Sequence, residues 1–225
     1  HLEKLKEIKK KTYHPIQHEI HRKYKISRKT LFYMKEYGPH AHVTRTIIKE
    51  SIKILLLASI ISSFGGFIVE NIKTIFVSLI PLVILLPALN GMIGNYGTII
   101  SSKFSTMLHE GKIKKRWWIN KDLLKLFIQL FLISIITASI SSLLALTISR
   151  FSGQPQSIVI GAKIFLIAII NVTILVITLF FISILAGLYF FHKKEDPNNF
   201  LIPIATSVAD FGNILLLSIL VIIFF

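Results

Sequence analysis

Residues 200–225 read FLIPIATSVADFGNILLLSILVIIFF. An apolar helix of about 20 residues crosses a hydrocarbon core of about 30 Å, and this run is long enough to do so. It holds one acid, Asp210, and no other acid lies inside a long apolar run of this chain. The other ten acids fall in the basic N-terminal region, in connecting loops or, like Glu70, at a segment edge. A carboxylate at such depth costs about 2.5–3.5 kcal/mol on insertion scales. It therefore marks an ion or proton pathway, unless a neighbouring Lys pairs with it or it faces a wet helix end.

The run is one of several. The 225 residues are 53% hydrophobic, with a mean hydropathy of +0.68, more apolar surface than a soluble domain of this size can hide. The expectation is an all-α, polytopic integral membrane protein. Cysteine is absent, which excludes disulfides and thiolate metal sites. No signal-peptide pattern is read at the charged N-terminus, and the sequence starts at His1 rather than Met, which leaves room for residues upstream. The net charge of +15, taken alone, suggests a nucleic-acid partner. Its distribution argues against one. Of the 26 Lys and Arg, 13 lie in residues 1–50 and seven in 103–125, beside apolar spans. Basic residues there set topology and meet anionic lipid.

Two regions are expected: a basic, helical, juxtamembrane segment over 1–46 and a five-span membrane domain over 47–225. In the first, Ile16, Ile20 and Tyr24 recur at helical spacing, followed by Leu31, Phe32, Met34 and Tyr37, before Gly38-Pro39 breaks the pattern. The spans are expected near Ile47–Val69, Lys73–Ser105, Leu123–Ser149, Ile158–Phe191 and Phe200–Phe225. Glu70-Asn71 reads as a short turn. Pro81, Pro87, Gly91, Gly94 and Gly97 predict a second span that is tilted, kinked or locally unwound. Trp117-Trp118 reads as an interface anchor. With five spans the termini lie on opposite faces, and the basic residues divide 23 to three between those faces. By the positive-inside rule the N-terminus is cytoplasmic and the C-terminus outside.

Two segments carry chemistry. In Pro87–Gly97 the glycines at 91, 94 and 97 are expected to share a helix face, for close packing or a local break, and Asn95 adds a neutral oxygen. Ion contact and simple helix packing both remain open there. In Asp196-Pro197-Asn198-Asn199…Pro203…Thr206-Ser207…Asp210, Asp196 suits a helix cap, and Thr206 lies one turn before Asp210 on the same face. His14, His18 and His21 share a potential face and are a weaker metal candidate; HPIQHEIH lacks the spacing of a zinc protease. Lys112, Lys114, Lys115 and Arg116 read as a topology signal or, less directly, a lipid head-group site.

Pro87-Ala88-Leu89…Gly94-Asn95, running on to Ser102-Lys103-Phe104-Ser105-Thr106 and Gly111, resembles the second-span motif of MgtE-type magnesium transporters, in the form of their animal solute-carrier relatives. Asp196-Pro197-Asn198-Asn199…Ile202–Ser207…Asp210 resembles the family's fifth-span motif, and Gly65-Gly66 with Glu70 fits its first span. The resemblance implies a parallel homodimer with its pore on the two-fold axis. It implies that Asp210 binds hydrated Mg²⁺, that Thr206 contributes a backbone carbonyl, and that Gly94 and Asn95 are the second-span contribution. Asp196 would stand at the cytoplasmic mouth, with Asn90 also assigned there in place of an acid. The family's bacterial members carry large cytosolic sensing domains, which these basic residues before the first span do not resemble. Its animal members fuse two such units, where this chain has one.

The chemistry is compatible. Mg²⁺ takes oxygen ligands, keeps several waters and needs only one or two carboxylates. The leading reading is channel-like Mg²⁺ transport across the plasma membrane, with no enzymatic step. Cation-coupled Mg²⁺ exchange, or proton-coupled transport of another solute through Asp210, are the alternatives. Preference among Mg²⁺, Mn²⁺, Co²⁺, Ni²⁺ and Ca²⁺ stays open.

Overall fold

The computed structural model describes residues 43–113, 117–193 and 196–225. The expected surface helices of the basic segment, the cluster His14, His18 and His21, and Lys114, Lys115 and Arg116 lie outside these residues. Among the described residues the architecture is all-helical: α1 (Val43–Ser78), α2 (Ile80–His109), α3 (Lys121–Phe151), α4 (Ile158–Lys193) and α5 (Pro197–Phe224), with a 3₁₀ turn at Trp117–Ile119. All five α-helices are long and apolar enough to cross a membrane.

The ends of the helices follow from local chemistry. Asp196 caps α5, its Oδ1 accepting from Asn198 N at 3.0 Å, with Pro197 in the first turn. Asn120 caps α3, its side chain accepting from the backbone N–H of Asp122 and of Leu123. At the end of α2, Gly111 takes φ of 70°; its N–H donates to Leu108 O and that of Lys112 to Met107 O. Gly153, at φ of 77°, ends α3 with the same pair of bonds, to Arg150 O and Ser149 O. Both reversals need the left-handed conformation that glycine adopts without steric cost.

The first chain reversal is not where the sequence suggests. Helix α1 runs straight through Glu70-Asn71. Asn71 Nδ2 donates to Phe67 O at 2.8 Å, and Lys73 pairs with Glu70 one turn away, so these polar groups are satisfied on the helix surface. The break falls at Leu79, with φ of −117° and ψ of 74°, two residues before Pro81. Proline has no N–H to give the preceding turn and sits without cost in the first turn of a new helix, as Pro81 does here. From there α2 continues as one helix past Pro87, so of the tilt, kink or local unwinding expected, the unwinding is not seen.

Helix α5 packs against α1, α2 and α4, while α1 and α2 touch each other sparingly. The fifth helix is thus wedged between the first two. Close approach is made over small residues. A Cβ added at Gly97 of α2 would lie 3.1 Å from Ala205 Cβ of α5, and one added at Gly65 of α1 would lie 2.8 Å from Ile214 Cδ1. Helix α3 completes the bundle against α2 and α4. Its buried positions include Ser134, Ala138, Ser142, Ala145 and Ser149, whereas Leu132, Ile133, Ile136, Ile140, Leu143 and Leu144 are exposed. Small residues inward and large aliphatics outward is the reverse of a soluble core and the arrangement lipid favours. Trp118 is exposed, and Trp117 packs edge-on against Phe181.

Candidate ion-binding site

Asp210 lies 13 positions into the 28-residue α5, near the middle of a helix about 42 Å long. It is half-buried, in the cleft that α1 and α2 leave on either side of α5. Its hydrogen-bond partners are neutral. Asn90 Nδ2 of α2 donates to Oδ1 at 2.7 Å, and Ser62 Oγ of α1 donates to Oδ2 at 3.4 Å. Among the described residues no Lys, Arg or His pairs with this carboxylate. The paired-Asp explanation for a charge at this depth is therefore not the arrangement seen.

Behind this first contact the polar chain goes on. Asn213 Nδ2 donates to Asn90 Oδ1 at 3.2 Å, and Asn171 Nδ2 of α4 donates to Asn213 Oδ1 at 2.6 Å. Asn213 and Asn171 are fully buried. Thus α1, α2, α4 and α5 each send one or two polar side chains to a point at mid-depth. Hydrophobic packing sets this geometry: Leu85, Leu89 and Ile93 of α2 are fully buried, as are Ala209 and Leu217 of α5. Fixing those faces inward brings Asn90 and Asp210 together.

The other expected site residues are placed as follows. Thr206 is half-buried one turn below Asp210, its hydroxyl donating back to Ile202 O and Pro203 O, so that the side chain is spent on its own helix. Gly94 and Asn95 lie on the outer face of α2, Asn95 exposed and the Gly94 carbonyl accepting from Thr98 Oγ1 at 3.0 Å. The three glycines do not form one face. Gly97 is packed on α5, while a Cβ added at Gly91 or Gly94 would meet nothing within 4 Å. Steps of three turn the helix by about 300°, so the stripe drifts by about 60° at each step. Asn90 is not beside Asp196, where it was expected, but against Asp210, fourteen positions or about 21 Å further along α5.

Asp196 stands at the other end of the cleft. Its Oδ1 lies 3.5 Å from His109 Nε2, which ties the last turn of α2 to the cap of α5. Nearby, the Glu110 carboxylate holds the Lys112 ammonium above its usual range, first through their hydrogen bond and then through charge. In the sequence Ser62 reads only as a small residue that permits close helix contact, and Asn213 and Asn171 do not stand out. The available signal was weak: Asn213 follows Asp210 by three positions, and Asn171 is an isolated amide in the apolar run of α4. Among the described residues no group of three or more His, Cys, Asp or Glu converges.

Five membrane-length helices around a mid-depth carboxylate without a protein counter-charge define a polytopic membrane protein built like an ion or proton conductor. The family profile of MgtE, a divalent cation transporter, matches residues 86–220. The chain belongs to the MgtE family. Among curated proteins it is similar to solute carrier family 41 member 2 of Macaca fascicularis and of Homo sapiens, each 26% identical over 180 residues, and of Gallus gallus, 27% identical over 180 residues. Each alignment takes in 74% of this chain and 30% of the relative, so the chain spans under a third of the relatives' length. No solved structure matches it.

Proposed function

We propose that this chain carries divalent cations, Mg²⁺ foremost, across the plasma membrane through a channel-like pore shared by two copies. The observation that carries the reading is the unpaired state of Asp210: at mid-depth its partners are the neutral Asn90 and Ser62. A lone charge in low dielectric is costly, and a passing cation relieves that cost. One carboxylate per chain becomes two on a two-fold axis. Mg²⁺ that keeps its waters needs no more, and the loose grip favours release. In such a pore the outer face of α2, with Gly94 and Asn95, and the backbone at Thr206 would border the approach, and Asp196 would attract cations at the cytoplasmic mouth. Charge bias supports a cytoplasmic N-terminus and an outside C-terminus, with basic segments against anionic lipid.

An inside-negative potential is a sufficient drive, since a divalent ion gains about 4.6 kcal/mol per 100 mV, roughly a thousandfold in concentration. The test is Mg²⁺ uptake by liposomes held at a fixed inside-negative potential. Wild type is expected to show saturable, voltage-driven uptake, and Asp210→Asn to lose it at least a hundredfold. Equal uptake in both removes Asp210 from the pathway. Uptake that needs a counter-ion or proton gradient, and not voltage alone, moves the reading to exchange or proton coupling.

A further inference from the structure

An ionised carboxylate only accepts hydrogen bonds, and this gives the amides behind Asp210 a direction. Asn90 must turn its nitrogen to Asp210 Oδ1. Its carbonyl is then free to accept from Asn213, and the Asn213 carbonyl from Asn171. Three amides therefore point nitrogen-first along one line at a single charge. Their dipoles add, and in a low-dielectric interior each bond polarises the next. The line ends on Asn171 Oδ1, which is buried and has no hydrogen-bond partner. An orphaned buried acceptor is destabilising, and an apolar side chain there would avoid it. Asn171 satisfies the buried Asn213 carbonyl at the cost of its own, so its net contribution to stability is small, yet its donor side completes the chain.

We propose that Asn213 and Asn171 are positioning residues for the cation pathway. Acting through Asn90, they fix the rotamer of Asp210 without touching the ion. The proposal rests on Asp210 being the cation site. It adds two residues, one of them on α4.

The primary variant is Asn171→Leu, which removes the orphan at Asn171 Oδ1 and leaves one at Asn213 Oδ1, so it is expected to fold with a melting point close to that of wild type. The half-saturating Mg²⁺ concentration should rise about tenfold, as loss of an outer partner does at metal sites, with maximal flux within about twofold. In an Asn90→Ala background the chain is already cut, and adding Asn171→Leu should change nothing more. An unchanged half-saturation overturns the proposal, as does an equal effect in both backgrounds, which would mean ordinary packing. A second readout needs no transport. The Asp210 carboxylate stretch, isolated as the infrared difference between wild type and Asp210→Asn without divalent ions, should shift in Asn171→Leu. If wild type shows no saturable Mg²⁺ flux, the function proposed for Asp210 fails, and the infrared band still decides the relay: no shift overturns it.

Discussion

A methyl group placed on Gly187 of α4 would sit 2.7 Å from Phe104 Cε1 and 2.8 Å from Cδ1, with Leu201 Cδ1 at 3.2 Å. The Phe104 ring is fully buried and cannot swing aside as a flexible chain end would. Overpacking of this kind costs about 1–3 kcal/mol. Gly187→Ala is therefore expected to lower the thermal midpoint in detergent by several degrees, and Phe104→Leu added to it to recover part of the loss. A midpoint equal to wild type would mean that α2 and α4 are not this close. Sequence patterns see such sites unevenly. Asp210 was legible because a charge in an apolar run has few explanations. Asn213 and Asn171 were not, because an amide in a span reads equally well as helix packing. What distinguishes them is a set of partners across helices, such as Asn90 and Asp210, 120 positions apart. Local spacing holds no record of those pairs; they follow from how the apolar faces lock together.

The same limit acts on elements. Span count and the cap at Asp196 followed from local chemistry, whereas the α1–α2 break did not. Glu70, Asn71 and Lys73 look like a turn because they are polar, yet polarity only says that a surface is wet. Proline says what the backbone can do, and the break sits beside Pro81. A substitution separates the two readings. Asn71→Pro would be tolerated in a turn but costs about 3 kcal/mol or more inside a helix. The expected result is a large loss of folded protein for Asn71→Pro and near wild-type melting for Asn71→Ala, whose lost bond to Phe67 O is an exposed one. A well-folded Asn71→Pro would restore the turn.

At the scale of the molecule the question is what lies outside the helices. Between Val83 and Ile99 the exposed positions of α2 are Pro87, Ala88, Gly91 and Asn95. On α3 they are large aliphatics such as Ile136, Ile140 and Leu144. Lipid chains suit the second surface and fill the first poorly, since an exposed amide finds no partner in hydrocarbon. In the proposed pair the α2 face would meet the second copy, and in a two-fold pair residues near the axis meet their own counterparts. The chain lacks cysteine, so single cysteines report without background. Gly91→Cys has open space around its new side chain and should leave the fold intact. With a bismaleimide spanning about 10 Å, well beyond disulfide reach, Gly91→Cys is expected to give covalent dimers in native membranes, and Leu144→Cys to stay monomeric. Dilution in excess lipid before cross-linking separates a stable pair from collision, because random encounters fade with dilution. Cross-linking at Leu144 but not Gly91 would put the contact on α3 and leave Asp210 of each chain facing a pathway of its own.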